Sequence, residues 1–362
     1  MTRRAFVHRI STKAPDDVSG LRSRIALGEI DPRGIVAILG KTEGHGNVND
    51  FSRGFASASL KIELRRHLSQ ADADAICLVM SGGTEGAMAP HVVVFEVRDV
   101  ADAPEASALA VGRSRTADLP FEQLGRIAQI ELVADAVRAA MADAGIAEAD
   151  HVHFVQIKCP LLTLERIARA ESEGKQTATR DTLKSMALSR AASSLGVATA
   201  LGEVDPAAIR DEAIGRDWSL FSSRASASAG VELTGHEIVV LGHAPGWSGP
   251  LRIAHCVMQD AIDVEPVRAA LALQPGTHLV ALLGKAESGT SGKLRGYRHT
   301  MLDDSDISAT RHARGFVAGA LAGVVGHAEI YVSGGAEHQG PDGGGPVALI
   351  TTEQAIKHGV AA

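Results

Sequence analysis

The chain has 362 residues, of which 45% are hydrophobic and 22% charged, and a formal net charge of −7. These values fit a folded protein long enough for two or three units that each bury a core, and they exclude a disordered chain. The absence of a Lys/Arg run and an aromatic content of 3% exclude a phosphate-backbone or base-stacking partner, so no nucleic acid is expected. The opening MTRRAFVHRISTKAPDD has no apolar core of signal-peptide length, and no later stretch approaches a membrane span. The expectation is a cytoplasmic protein with no membrane partner. Cys77, Cys159 and Cys256 lack CxxC spacing, which points to neither a disulfide framework nor a zinc site.

In chain order, a helical segment LRSRIALGEI precedes the apolar run GIVAILGKTE, a buried strand that delivers Lys41 at its end and Glu43 two residues on. SRGFASASL reads as a helix led by Arg53. AICLVMSGGTE is a second apolar run, closing in Ser81 and Gly82. The order strand-Lys, helix-Arg, strand-Ser then recurs. Past the Ala/Asp/Pro-rich VADAPEASA and a long helix ending in VRAAMADAG, HVHFVQIK ends at Lys158, LSRAASSLG supplies Arg190, and SASAGVE supplies Ser228 and Ala229. Ser226 stands two residues earlier, and alignment to SGGTE selects Ser228. After the Pro/Gly-rich APGWSGPLR and the helix VEPVRAALAL come HLVALLGKAE with Lys285 and Glu287, HARGFVAGAL with Arg314, and AEIYVSGGAE with Ser333 and Gly334.

This pattern predicts an α/β protein of three structurally related units, residues 1–104, 105–249 and 250–362. They would sit around a pseudo-threefold axis with a barrel-like or prism-like central β core and helices outside. Singly, a strand-end Lys, a helix-start Arg or a Ser-Gly-Gly turn is an ordinary surface feature. Three copies of the same polar types in the same order have no folding reason to persist. A lysine can deprotonate a serine only when its own pKa is depressed, and glycines beside the serine let backbone N–H groups face a developing oxyanion. Arg adds a planar donor fork for carbonyl oxygens. The motif Ser-(Gly/Ala)-Gly-x-Glu closes all three copies. A phosphate-loop reading of GKT at Gly40 fails because Ile35 occupies the position of the required glycine.

The segments GKTEGHGNVNDFSRGFA, VMSGGTEGAMAPH, SASAGVELTGHEIVVLG and VSGGAEHQGPDGGGP resemble the cyanuric acid hydrolase and barbiturase family of ring-opening amidohydrolases, and the resemblance spans the chain. It implies three Ser/Lys pairs at the centre of a threefold fold, a homotetramer, and a cyclic imide as small-molecule substrate. It implies further that Arg53, Arg190 and Arg314, with Ser81-Gly82, Ser228-Ala229 and Ser333-Gly334, hold the ring oxygens beside Lys41 and Lys285, and that Lys158 and Ser228 do the chemistry. No cofactor is expected for the reaction. The resemblance also implies a structural divalent cation, Mg²⁺ or Ca²⁺, held by Glu287 with Ala336, Gln339, Gly340, Pro341 and Gly344, an oxygen-rich set suited to such ions.

A charge argument agrees with the second copy as the reactive one: Glu43 and Glu287 would keep Lys41 and Lys285 protonated, whereas no acid follows Lys158 so closely. Two alternatives to cyanuric acid hydrolysis stand at this level. One is barbituric acid as the ring; the other is a non-catalytic binding protein for a polycarbonyl ligand.

Overall fold

Aliphatic and β-branched residues fill both faces of the Lys-bearing runs, which marks them as strands covered on two sides. The structure, a computed structural model, describes residues 1–272 and 276–353. Elements are numbered in chain order. The first stretch holds β1 (Thr2–Ser11), α1 (Ser19–Ala26), β2 (Ile35–Thr42), α2 (Phe51–Leu64), α3 (Gln70–Ala75), β3 (Cys77–Gly82) and β4 (His91–Val100). The second holds β5 (Leu109–Arg115), α4 (Ile127–Ala144), β6 (Val152–Cys159), α5 (Leu164–Ser172), α6 (Thr182–Ala200), β7 (Ala225–Ala229) and β8 (Glu237–His243). The short β9 (Trp247–Ser248) leads into β10 (Leu251–Met258), α7 (Glu265–Ala272), β11 (His278–Ala286), a small hairpin of β12 (Lys293–Leu294) and β13 (Tyr297–Arg298), α8 (Ala309–Val325), β14 (Tyr331–Gly334) and β15 (Gly345–Thr352).

Three sheets repeat one strand order: β3-β2-β4-β1, β7-β6-β8-β5 and β14-β11-β15-β10, with β9 added at the edge of the first. In each, the Lys-bearing strand runs parallel to the Ser-bearing strand and antiparallel to its other neighbour. The three-unit α/β reading therefore agrees with the observed topology. The barrel does not: the main-chain ladder of one sheet does not continue into the next, so the sheets stay open and meet through side chains.

Those side chains form one central core. Leu39, Val79, Val93 and Phe95 from the first sheet pack with Val155, Val239 and Leu241 from the second and Leu283, Tyr331 and Ile350 from the third. Successive strand residues face opposite ways. Accordingly Ile38, Met80 and Val94 turn outward onto Leu60 and Leu64 of α2, and Leu282, Val332 and Leu349 turn onto Val317 and Leu321 of α8. Helices α4 and α6 cover the second sheet. No helix among the described residues is long and apolar enough to cross a membrane.

Phe95 is fully buried in the central core, whereas Phe51 is 80% exposed. Phe95→Ala is expected to destabilise the fold by about 3–5 kcal/mol, and Phe51→Ala by no more than about 0.5 kcal/mol. Urea unfolding of the two variants checks the contrast.

Candidate active site

Parallel pairing puts each lysine directly opposite its serine: Lys41 opposite Ser81, Lys158 opposite Ser228, and Lys285 opposite Ser333. Ser226 lies opposite Gln156 instead, one layer deeper. Because side chains two residues apart share a face, Lys41 and Lys285 follow Leu39 and Leu283 toward the common centre. The three serines meet there. Ser228 Oγ lies 3.0 Å from Ser333 Oγ, and Ser81 Oγ donates to Ser333 Oγ at 3.3 Å.

The arginines arrive on helices: Arg53 in the first turn of α2, Arg190 midway along α6 and Arg314 in the second turn of α8. Asp50 caps α2 by accepting from the Ser52 N–H, and Asp181 caps α6 by accepting from the Lys184 N–H, which fixes the frames carrying Arg53 and Arg190. Each arginine then reaches the next unit. Arg190 grips Glu337 with two bonds of 2.8 and 2.5 Å, and Arg314 of α8 grips Glu85 at 2.7 and 2.6 Å. Arg53 breaks the pattern: it donates to the backbone carbonyls of Ala229 at 2.8 Å and Asn47 at 2.9 Å. Glycine makes this reach possible, since a Cβ on Gly83 would stand 2.0 Å from the Arg314 guanidinium and one on Gly335 2.4 Å from that of Arg190. Both glycines have positive φ.

The three serines, the three arginines, Gly82, Ala229 and Gly334 all line one cavity of about 650 Å³. His45, Trp218 and Met301 extend its wall. All nine repeated side chains thus converge, although the lysines lie beneath the floor. Lys41, Lys158 and Lys285 are each 1% exposed or less.

Their partners differ. Lys41 donates to Ser81 Oγ at 3.0 Å, and Lys285 to Ser333 Oγ at 3.2 Å and to the Ala227 and Gly334 carbonyls. Lys158 donates to the Met80 carbonyl at 2.6 Å and pairs with Glu232 at 2.9 Å. Burial lowers all three pKa values, that of Lys285 to about 7 with help from the Arg190 charge, and that of Lys41 well below its usual value with help from Arg314. Lys158 is lowered by burial too, but the Glu232 carboxylate opposes the shift. Glu43 and Glu287, two residues after their lysines, are not the deciding acids, and Lys158 is not the lysine without one. Lys158 is the lysine with a carboxylate at hydrogen-bond distance, because the acid that matters follows the serine rather than the lysine.

The expected cation ligands fall in one turn region. Glu287 accepts from the N–H groups of Ser288 and Ala336, and the desolvated carboxyl is held above the usual carboxylate range, with Glu337 adding to the shift. A divalent cation would reverse that cost, so the carboxylate chemistry fits one. The Ala336 and Pro341 carbonyls accept from Gln339 and Gly344 N–H groups, each keeping a second lone pair, while the Gln339 side-chain oxygen is committed to the Ala227 N–H and the Gly340 N–H to Ser222. Among the described residues, no three His, Cys, Asp or Glu side chains form a metal-holding group.

Sequence reasoning missed the roles of Glu85, Glu232 and Glu337, although their signal, the recurrent Glu four residues after each Ser, was visible. It also missed a buried polar layer under the serines. Among the described residues, the Gln156 Oε1 and Ser226 Oγ atoms there have no hydrogen-bond partner, and the buried Tyr331 phenol stands beside Ser228 and Ser81.

This architecture sets three Ser/Lys strand pairs around one polar cavity, residue types suited to nucleophilic attack on a carbonyl. Residues 6–352 match the family model described as amidohydrolase ring-opening protein. The chain is 65% identical over 349 residues to a cyanuric acid amidohydrolase of Azorhizobium caulinodans, covering 96% of this chain and 98% of that one. It is 58% identical to another from Bradyrhizobium sp. (strain ORS 375), with 96% and 98% covered. A crystal structure of the A. caulinodans cyanuric acid hydrolase superposes with a TM-score of 0.92 at 63% identity, covering 98% of this chain and all of that one. A second cyanuric acid hydrolase structure gives 0.93 at 47% identity, with 97% and 100% covered. The chain belongs to the ring-opening amidohydrolase family, and it is a hydrolase.

Gly335→Ala is expected to lower stability by roughly 1–3 kcal/mol, since it both strains a positive φ and pushes Arg190 off Glu337. Thermal melts against the parent protein measure the loss.

Proposed function

We propose that the protein hydrolyses cyanuric acid, breaking one ring C–N bond to give carboxybiuret, which loses CO₂ to leave biuret. The observation that carries this reading is the set of three serine hydroxyls linked at 3.0 and 3.3 Å under a cavity that Arg53, Arg190 and Arg314 also line. A ring with three carbonyls at threefold positions matches three donor sets disposed in the same way. The names of the relatives at 65% and 58% identity support the same substrate.

In this mechanism Ser228 Oγ attacks a ring carbonyl while the Lys158 amine takes its proton. Backbone N–H groups beside Ser228 and the neighbouring arginine hold the oxyanion. The Lys158 ammonium protonates the departing ring nitrogen, and water then hydrolyses the acyl-enzyme with the same amine as base. One feature sets the second unit apart as the reactive one. Register places all three lysines opposite their serines, but Glu232 gives Lys158 alone among them an adjacent carboxylate. Ser81 with Lys41 and Ser333 with Lys285 bind and orient the ring.

Glu287 with the carbonyls of Ala336, Gln339, Gly340, Pro341 and Gly344 would hold a divalent cation, Mg²⁺ or Ca²⁺, which would offset the buried carboxylate and pin that turn. The proposal extends to three units at 1–104, 105–249 and 250–362, a homotetramer, and a cytoplasmic location.

Purified protein is expected to open cyanuric acid in preference to barbituric acid, with biuret as the recovered product. Ser228→Ala should lower kcat by roughly 10⁴-fold or more, and Ser226→Ala should leave most of it. Full turnover by Ser228→Ala, or turnover of barbituric acid alone, overturns the reading.

A further inference from the structure

Three carboxylates close the same repeated motif, yet only two do the same thing. Glu85 and Glu337 each hold a neighbouring unit's guanidinium through two bonds. Glu232 leaves Arg53 to backbone carbonyls and turns onto Lys158 Nζ at 2.9 Å. The amine end of this pair is fully buried, while the Glu232 side chain keeps 22% of its exposure. Gly230 opens the way, since a Cβ there would lie 2.3 Å from the Glu232 carboxylate. Arg53 from α2, Arg166 from α5 and Glu237 from β8 stand in the field of the pair, and the Cys159 thiol, next along β6, turns to the opposite face toward Ser189 and Ser193. Lys41 and Lys285 have serine or carbonyl oxygens as hydrogen-bond acceptors and no carboxylate at that distance.

We propose that Glu232 stores the proton Lys158 must release before it can act as a base, acting through Lys158 and never touching the ring. The proposal rests on the assignment of Lys158 and Ser228 above. Moving one proton from Lys158 Nζ to the Glu232 carboxylate leaves an amine and a carboxylic acid, with no change in the pair's net charge and no exchange with solvent. In a desolvated setting, that neutral pair competes well with the ion pair.

The amine takes the Ser228 proton as Oγ bonds to the ring carbon, and returns it to the ring nitrogen as the C–N bond breaks. Water then gives a proton to the amine while its oxygen bonds to the acyl carbon. The ammonium restores the Ser228 hydroxyl as the ester bond to Oγ breaks. Glu232 keeps its stored proton through both steps and returns it to Lys158 at the end.

The active form of the pair therefore carries one proton, a state reached once pH exceeds the pKa of Glu232, which Lys158 and Arg53 hold below its usual value against the opposing effect of burial. In Glu232→Gln the ammonium must instead lose its proton to solvent. The acid limb of the pH–kcat profile is then expected to move to higher pH, toward the pKa of Lys158 itself. Below that shifted limb kcat should fall with little change in KM, and above it kcat should recover. Glu85→Gln and Glu337→Gln, which release ring-facing arginines, are expected to raise KM and leave the acid limb in place.

An unmoved acid limb in Glu232→Gln, or a loss confined to KM as in the other two variants, overturns the proposal. Should Glu232→Gln fail to fold, Glu232→Asp carries the test. Its shorter carboxylate should give a partial upward movement of the same limb, and a limb at the parent position overturns the idea. Full turnover by Lys158→Ala would instead sink the underlying assignment, a result distinct from either outcome at Glu232.

Discussion

Three lysine amines buried around one centre are the constraint to which the rest of the structure answers. An isolated ammonium taken out of water costs several kcal/mol, and neighbouring like charges add to that cost. The protein offsets it with fixed acceptors on adjacent strands: Ser81 Oγ for Lys41, the Ala227 carbonyl for Lys285, and the Met80 carbonyl for Lys158. Two of these acceptors sit one residue before a serine of another unit, so the first and second sheets each hold a neighbouring sheet's lysine at the depth of their own serine-bearing strand. The depressed pKa values are the remaining expression of the same strain, and depressed lysines beside serines are what amide chemistry at neutral pH requires.

The arginines solve a different part of the problem. Guanidinium groups stay charged when buried, so each needs a counter-charge or carbonyl acceptors. Arg190 and Arg314 take theirs from the following unit in the cycle, whereas Arg53 donates to carbonyls and has Asp50, the cap of its own helix, 4.0 Å away. The one departure frees Glu232 for Lys158. A near-symmetric scaffold thereby acquires one chemically distinct corner without altering the strand order of any sheet.

Much of this was legible in the residues. The periodic apolar runs fixed the strands that carry Lys41, Lys158 and Lys285, and the recurrent Lys, Arg and Ser order foretold their convergence. Proximity in sequence misled the charge argument. Glu43 and Glu287 follow their lysines by two residues, but the parallel pairing of β2 with β3 brings Glu85 into the field of Lys41, and that of β6 with β7 brings Glu232 onto Lys158. Such partners are set by strand register and loop path, which a linear pattern does not encode. The open sheets were missed for a related reason. Continuous apolar runs specify two covered faces, and they are silent on whether the edges close.

The arginine cycle has a consequence for how such a centre can be assembled. Three separate copies of one short chain would have to share a single sequence, so any substitution that released one carboxylate from its guanidinium would release all three. Joining the units in one polypeptide lets the junction between the first and second units diverge at Arg53 and Glu232, while the other two junctions keep their clamps. Covalent linkage thus does more than raise local concentration: it makes inequality among the three corners heritable.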